Sequence, residues 1–534
     1  MTFRARNLLP LIVVVPLVLA GCSGGSPESS GDSGEFAVDG SYATSIAGDP
    51  GDLNPLVTNL VAAQFVGAFA YDTLIFVDPA TSEIKPFLAD SWTDGASEVS
   101  FTLHEGITCA DGTPFTAQTA ADNLNWIVDP ANGSPLLDSI IPGTAVAKAD
   151  GNVLTVTTPE PSPFLLYNVG AQQMVCEGAL DDPKSTSAAS NGTGLFEITE
   201  VVANDHITLE RRDGYDWAPD RTTTSDTAGV PKTITVKMIP DPSTVANLLL
   251  SKGLNAALVS GADEERLADL ESLSSPNLSG MIGFNNLASL PTGDAAVRIA
   301  LTQAVDLDAF TDIITAGKGS RATSLLTVEP KTCSYDSVDG TLPTFDEKAA
   351  AAGMEAAGYT LGADGKLTKD GEPLSIRLVY NNQPDTRSAA TEYLAAQWEK
   401  LGVTVELSGG DASFVMGQTF SAEDPSGWEA SVGVDLQSNT PSIFPPYLSG
   451  PTVPEGNNYA SVDNPEYVEL SSAAALESGD TACDLWKQAE QALMRDANIL
   501  PVSVTPFKMY FNGATSLYQP VIGSIPGPGI RVLK

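Results

Sequence analysis

The N-terminus of this chain of 534 residues limits the compartment in which the rest can fold. Arg4 and Arg6 precede an almost wholly apolar run, residues 8–20, which ends in small residues. A positively charged segment, an apolar segment and small residues at a cleavage position are typical of an export signal. The run has 13 residues and contains Pro10 and Pro16, whereas a membrane-spanning helix needs roughly 17–25 apolar residues. Residues 1–21 are therefore predicted to be a signal peptide, and the rest of the chain is predicted to fold outside the cytoplasm.

The end of this segment, Leu19-Ala20-Gly21-Cys22, resembles a bacterial lipobox, whose cysteine is lipidated before the signal is removed. The alternative is an ordinary signal peptide that ends near a cysteine. The tetrad falls where the apolar run stops, which favours lipidation of Cys22. Residues 22–35 follow as a Gly/Ser-rich stretch that predicts a flexible tether with a reach of about 20 Å. We expect the chain to be lipid-anchored at the extracytoplasmic face of the cell membrane.

Composition limits the partners and the number of domains. About 510 residues remain after the signal, which is enough for two or three domains. The formal charge is −40, from 27 basic and 67 acidic residues. A field of this sign repels phosphate backbones and anionic lipid, so no nucleic acid is expected as a partner. The membrane link is therefore expected to be covalent.

The cysteines are consistent with an oxidising compartment. If Cys22 carries lipid, the other four can form two disulfides, for which three connectivities exist. Buried free thiols are the alternative. No pair has C-x-x-C spacing, and the chain has two histidines, so neither a metal site nor a cofactor is expected.

Catalytic motifs are missing from the sequence. His104 and His206 lie about a hundred residues apart and belong to no H-E-x-x-H motif. There is no G-x-S-x-G turn, Walker A loop or EF-hand loop. Ser82 and Lys85 match S-x-x-K, but the partner motifs S-D-N and K-T-G are absent and Pro86 follows. We expect no catalytic residues and no enzyme, leaving a secreted hydrolase and a surface adhesin as rival classes.

Hydrophobic periodicity and turn residues predict a mixed α/β chain. Predicted helices include residues 60–70, 116–127 with Thr116 as N-cap, 388–400 and 480–496, and one opened by Asp241 and Pro242 with Ser243 as N-cap. Predicted strands include residues 41–46, 99–103, 153–157, 207–210, 233–238, 375–379 and 404–407. Trp398 falls at helical spacing with Leu394 and Leu401 and is expected in a core.

Several stretches, in order along nearly the whole chain, resemble landmarks of the extracellular solute-binding proteins of peptide-type ABC importers. That family includes the oligopeptide, dipeptide and nickel binders. The stretches are residues 86–92 (PFLADSW), 101–107 (FTLHEGI), 111–117 (DGTPFTA), 191–196 (NGTGLF), 297–306, 345–359, 398–403 (WEKLGV) and 486–501.

The resemblance implies an α/β fold of two lobes, like the periplasmic binding proteins, with an extra subdomain in the first lobe. The implied boundaries are 36–70 for the first part of lobe I, 71–180 for the extra subdomain, 181–283 for the second part of lobe I, 284–497 for lobe II and 498–534 for the C-terminal return to lobe I. Cys109 stands where the family has an aromatic residue, which favours its pairing with a neighbour. Cys176 belongs to the same predicted lobe, so we expect the disulfides Cys109–Cys176 and Cys333–Cys483.

The resemblance also implies ligand-binding residues. In peptide binders an aspartate within an A-D-Y-x-x-P-x-x-F stretch holds the ligand ammonium, and residues 434–444 (VDLQSNTPSIF) are similar. Asp435 is the expected ammonium partner, because a buried ammonium needs an anionic neighbour; the alternative is that it caps the following turn. Trp428 and Tyr447 are candidate pocket walls, and Asn285 and Asn286 fall near the expected hinge. For Trp428 the alternative is a core position, and for the two amides it is hydrogen bonding to hinge backbone.

The expected function follows from the same resemblance. A monomeric, lipid-anchored binding protein would capture short peptides between two closing lobes and deliver them to an ABC permease in the membrane. The rival cargo is a metal chelate, a haem-like group or another small non-peptide solute.

Overall fold

The computed structural model describes residues 35–58, 60–183, 189–520 and 524–534. The predicted signal peptide, Cys22 and nearly all of the predicted tether lie outside the described residues. Residues 36–534 form one compact unit. No helix in the described part of the chain is both long and apolar enough to cross a membrane.

Thirteen α-helices occur among the described residues. They are α1 Val61–Ala70, α2 Ala117–Val128, α3 Leu165–Gly170, α4 Glu177–Asp181, α5 Pro242–Leu250, α6 Ala295–Gln303, α7 Leu307–Ile314, α8 Glu347–Ala356, α9 Asp385–Leu401, α10 Ala412–Gln418, α11 Pro445–Leu448, α12 Pro465–Ala474 and α13 Gly479–Arg495.

The same residues contain 22 strands. They are β1 Ser41–Ile46, β2 Ile75–Val77, β3 Ile84–Pro86, β4 Ala89–Thr93, β5 Glu98–Leu103, β6 Val146–Asp150, β7 Val153–Thr157, β8 Phe196–Val202, β9 His206–Arg211, β10 Thr233–Met238, β11 Ala256–Leu258, β12 Glu271–Phe284, β13 Ser320–Arg321, β14 Thr360–Leu361, β15 Leu367–Lys369, β16 Glu372–Pro373, β17 Ser375–Asn381, β18 Thr404–Gly410, β19 Ala430–Val432, β20 Ile499–Phe511, β21 Ala514–Ser516 and β22 Ile530–Val532.

The first lobe is built on two four-stranded sheets, ordered β1-β10-β9-β8 and β4-β5-β7-β6. Alternating burial along β1, β5 and β7 follows from the period-2 pattern of their sequences, which turns one face to the core. Both sheets contribute to one hydrophobic core, to which α1, α2 and the C-terminal β22 add side chains. Side chains of the C-terminal strand, Ile530 and Val532, are therefore buried in this core.

The second lobe is built on the β12, β17, β18 and β19 part of a seven-stranded sheet. Parallel pairing of β17 with β18 on either side of α9 gives a strand–helix–strand unit. Trp398 on α9 is 1% exposed and its indole N–H donates to the Leu301 carbonyl at 2.9 Å, so its expected core position is confirmed.

The two lobes are connected by the long antiparallel pair β12 and β20. Leu273 and Met509 face each other across the pair and pack with the first core. Ile282 and Leu500 are paired farther along and lie in the second core. One continuous strand pair therefore enters both lobes, and the change of core falls between residues 273 and 278.

Both expected disulfides are present. Cys109 and Cys176 are joined with a Cα–Cα distance of 6.2 Å, and their sulfur atoms lie in the first core. Cys333 and Cys483 are joined at a Cα–Cα distance of 5.4 Å in the second lobe. The second bond attaches the loop after β13 to helix α13.

Candidate functional site

A cavity of about 810 Å³ lies between the two lobes. Most of its wall comes from the first lobe, and a smaller part comes from two segments of the second lobe. First-lobe residues in the wall include Pro55, Val61, Gln64, Phe65, Ala68, Tyr71, Thr73, Phe76, Phe87, Leu136, Asp138, Ile140, Tyr167, Asn168, Gln172, Gln173 and Ser524. Second-lobe residues are Pro330, Thr332, Ser438, Asn439, Thr440, Ser442 and Ile443.

Helix α1 forms one side of the cavity, and the Gln173 side chain packs against it at Gly67. A Cβ atom at Gly67 would stand 2.5 Å from the Gln173 side-chain oxygen, so the amide lies directly against the helix backbone at this position. The approach places Gln64, Gln172 and Gln173 in the same wall.

The second-lobe loop that carries Pro330 and Thr332 is held by Glu490 on α13. The carboxylate of this buried residue accepts hydrogen bonds from the Tyr335 hydroxyl, the Ser337 hydroxyl and the Leu325 N–H, at 2.7, 2.7 and 3.2 Å. Burial raises the pKa of Glu490, and these donors oppose the rise. Together with Cys333–Cys483, this network brings the loop to the cavity.

The chemistry of the wall is aromatic and neutral polar. Among the described lining residues, Asp138 is the one carboxylate, and none is lysine, arginine or histidine. The Asp138 Oδ1 accepts a hydrogen bond from the Gly143 N–H at 2.7 Å. The Tyr71 hydroxyl is buried and has no hydrogen-bond partner among the described residues. The wall is therefore suited to solutes that combine apolar groups with amide-like donors and acceptors.

Asp435 is not among the residues that line the cavity. Its Oδ2 accepts from the Arg387 guanidinium at 2.8 Å, and its Oδ1 accepts from the Met281 N–H at 3.1 Å. Burial raises the pKa of Asp435, while Arg387 and the Met281 N–H favour the ionised form. The carboxylate predicted to hold an ammonium is thus already paired inside the second lobe, three residues before the wall residue Ser438.

Trp428 and Tyr447 also lie outside the cavity wall and belong to an aromatic cluster in the second lobe. The Trp428 ring is stacked on Tyr459 at 6.1 Å between centroids, and Tyr459 is stacked on Phe420 at 4.4 Å. Phe420 contacts Tyr447 edge-on at 5.9 Å. Trp428 is fully buried, so this ring packs in the core of the lobe.

Asn285 and Asn286 use their side chains to satisfy main-chain groups. Asn285 donates to the carbonyls of Pro425 and Trp428 at 2.6 and 3.0 Å. Asn286 donates to the Phe284 and Ala460 carbonyls at 2.7 and 3.1 Å. Both residues lie on the second-lobe side of the strand pair and neither lines the cavity.

Sequence reasoning missed most of the wall because its residues carry no motif. Gln64, Asn168 and Gln173 are ordinary neutral side chains that come together only when α1, α3 and the segment after α3 pack. The nearest available indication was residues 434–444, whose second half lines the cavity although Asp435 does not.

The comparison with protein families agrees with this architecture. The family model described as bacterial extracellular solute-binding proteins, family 5 Middle, matches residues 83–452, which is more than half of the chain. The chain therefore belongs to the family 5 solute-binding proteins, the extracytoplasmic binding components of ABC importers, which work with a membrane permease and are not enzymes.

Individual relatives cover most of the chain at low identity. The nickel-binding periplasmic protein of Escherichia coli (strain K12) is 25% identical over 385 residues, 68% of this chain and 71% of its own length. The glutathione-binding protein GsiB of the same organism is 24% identical over 478 residues, 85% of this chain and 86% of its own. The crystal structure of the ABC transporter substrate binding protein CtaP from Listeria monocytogenes superposes with a TM-score of 0.77 at 18% identity, covering 93% of this chain and 100% of that one. The expected two-lobed α/β fold is confirmed.

Proposed function

We propose that this protein is a lipid-anchored, monomeric receptor that captures short peptides between its lobes and delivers them to an ABC permease. The observation that carries the proposal is the cavity of about 810 Å³ with walls from both lobes. Small-molecule sites are typically about 300–1,000 Å³, so the volume suits a ligand of a few residues rather than a long chain. The family of the protein and the glutathione-binding relative support a peptide-like cargo.

The wall offers the groups that a peptide main chain requires. Amide side chains of Gln64, Asn168 and Asn439 can donate to peptide carbonyls and accept from peptide N–H groups. Aromatic residues such as Phe65 and Phe76 provide apolar surface for side chains. Recognition of this kind depends on the main chain and therefore tolerates many sequences.

Thermal unfolding in the presence of peptide pools tests the proposal. A ligand that binds only the folded state raises the melting temperature by mass action. We expect pools of di- to pentapeptides, with free and with blocked ends, to raise the Tm of the purified protein. No rise with any pool would contradict a peptide cargo, and a rise with nickel chelates instead would favour the rival solute class.

Asp138 and Asp435 are the two candidates for the carboxylate that binds the ligand ammonium, and matched variants distinguish between them. We propose Asp138, since it is the carboxylate of the described cavity wall. Asp138→Asn should then weaken peptides with a free N-terminus more than their N-acetylated forms. Asp435→Asn should lower stability, because it removes the anionic partner of the half-buried Arg387 guanidinium. If Asp435→Asn instead gives the selective loss of free N-termini, the sequence-based prediction is correct and the role of Asp138 is not.

Attachment through Cys22 is tested in cells. We expect an alkyne-labelled fatty acid to be incorporated into the protein and the protein to fractionate with membranes. Cys22→Ser should abolish both, because the lipid is the proposed anchor. A Cys22→Ser protein that remains membrane-bound would contradict this anchor.

A further inference from the structure

The described residues that line the cavity offer no counter-ion for an anionic ligand group, since none of them is lysine, arginine or histidine. Lys331, between the wall residues Pro330 and Thr332, is paired with Glu329 at 3.1 Å, and Arg387 on α9 is paired with Asp435 at 2.8 Å. A carboxylate enclosed here would lose its water without gaining a cationic partner, which is costly.

The net negative charge of the whole chain also disfavours anionic ligands. Its 67 acidic residues outnumber the 27 basic ones. The resulting field lowers the local concentration of anions and raises that of cations near the surface. Asp138 in the cavity wall adds a negative charge close to the ligand.

We propose that the cleft selects solutes whose enclosed part is neutral or cationic and excludes those that present a free carboxylate. The inference rests on the proposed function and specifies its substrate class: among peptides, the preferred ligands are those with an amidated, cyclised or otherwise blocked carboxyl end. Aromatic residues, including Phe65, Phe76 and Phe87, favour an aromatic or branched apolar group on the same ligand.

Tyr71 supplies a specific contact for such a ligand. Tyr71 is one of the residues that line the cavity, and its hydroxyl is buried and has no hydrogen-bond partner among the described residues. Burial raises the pKa of Tyr71, and the nearby Asp52 charge adds to the rise. The phenol therefore stays protonated and acts as a donor, and an amide carbonyl is a suitable acceptor. Binding of an amide would satisfy a donor that the unliganded protein leaves buried and unpaired.

Matched pairs of ligands test the proposed exclusion of free carboxylates, which is called the charge rule below. Calorimetry should compare a pool of aromatic dipeptides with free carboxyl ends with the same pool as C-terminal amides, at constant salt. We expect the amides to bind about tenfold more tightly or better, since an unpaired buried charge costs more than an unpaired neutral group. Equal binding, or tighter binding of the free acids, would overturn the inference.

The failure of the peptide proposal is distinguishable from the failure of the charge rule. If neither dipeptide pool binds, the peptide cargo is contradicted, and cinnamamide and cinnamate then serve as a non-peptide pair of the same shape. Binding of cinnamamide alone would support the charge rule. Binding of cinnamate, or of neither compound, would overturn it.

Three variants of the wall complete the test. Asn168→Arg introduces a cation and should reverse the preference towards the free acids, whereas Asn168→Gln keeps a neutral amide and should not. Tyr71→Phe should weaken the amides about fivefold, the order expected for loss of one hydrogen bond, with little change in Tm. An unchanged preference in Asn168→Arg, with the Tm of the parent protein, would contradict the inference.

Discussion

Asp72 is a buried carboxylic acid whose pKa is changed by its surroundings in the protein interior. It is 2% exposed, and its Oδ2 accepts a hydrogen bond from the Trp217 indole N–H at 3.0 Å. Burial raises the pKa of Asp72 to about 6, although the Trp217 bond and the Arg212 charge oppose the rise. Asp72 lies between the cavity residues Tyr71 and Thr73, so its packing also sets the position of the wall.

The pH dependence of stability follows from this value. A carboxyl whose pKa is higher in the folded than in the unfolded state binds more protons when folded, so stability falls as pH rises from about 4 to about 6. The difference between the ordinary pKa of 3.8 and a pKa of about 6 corresponds to a change in the free energy of unfolding on the order of 3 kcal/mol. Asp72→Asn removes this carboxyl group, so the variant should become more stable relative to the parent protein as the pH rises over the same interval.

Denaturant unfolding at pH 4 and pH 7 measures the effect. Asp213→Asn, at an exposed position, serves as the control for the loss of one carboxylate. If the difference between Asp72→Asn and the parent protein is the same at both pH values, Asp72 is not the buried acid described here.

At the scale of elements, local sequence predicted helix starts well where a side chain caps the first turn. Thr116 precedes α2 as expected, and its hydroxyl accepts from the Thr119 N–H at 3.2 Å. For α5, however, the predicted N-cap Ser243 is wrong. Asp241 accepts from the Thr244 N–H at 2.7 Å and is the N-cap, so Pro242 occupies the first helical position. Proline is favoured there because its missing N–H needs no partner.

The two candidate caps of α5 give different expectations. Asp241→Ala removes the acceptor of the first turn and should lower the Tm clearly. Ser243→Ala loses one exposed hydrogen bond, to Asp263, and should have the smaller effect. Differential scanning calorimetry measures the decrease in Tm for both variants. A larger decrease in Ser243→Ala than in Asp241→Ala would support Ser243 as the N-cap, as the sequence-based prediction held.

At the scale of the whole molecule, the lobes meet through more than the strand pair. Phe164, just before α3, belongs to the core of the second lobe, whereas its neighbours Leu165 and Leu166 belong to the core of the first. The Lys331 N–H of the second lobe also donates to the Ser82 hydroxyl of the first at 3.0 Å. Both contacts bring the lobes together over the cavity and favour a closed arrangement.

Removing the Phe164 side chain should shift the protein towards an open form. Phe→Ala substitutions in cores cost about 3–5 kcal/mol, and here the loss falls on the contact between lobes. We expect Phe164→Ala to increase the radius of gyration in solution scattering and to weaken ligand binding. Phe101→Ala, within the first core alone, should lower stability without expanding the molecule. An equal radius of gyration for Phe164→Ala and the parent protein would contradict the proposal that Phe164 holds the lobes together.

Local patterns and family-like stretches were sufficient to predict several features of the fold. The α/β class, strand β1 at Ser41–Ile46 and the capping of α2 by Thr116 depend on nearby residues, so periodicity and capping chemistry predict them. The export signal, the domain boundaries and the lipidation of Cys22 remain predictions.

The residues that line the cavity could be identified only from the three-dimensional packing. Asp435, Trp428, Tyr447, Asn285 and Asn286 have the chemical types of a binding site, yet each finds its contacts within the second lobe. The cavity wall instead brings together side chains from α1, α3 and two distant loops. Because these segments are far apart along the chain, local sequence patterns do not indicate that they lie close together. Local sequence reports what a side chain can do, whereas packing over hundreds of residues decides whether that side chain meets a partner or the ligand.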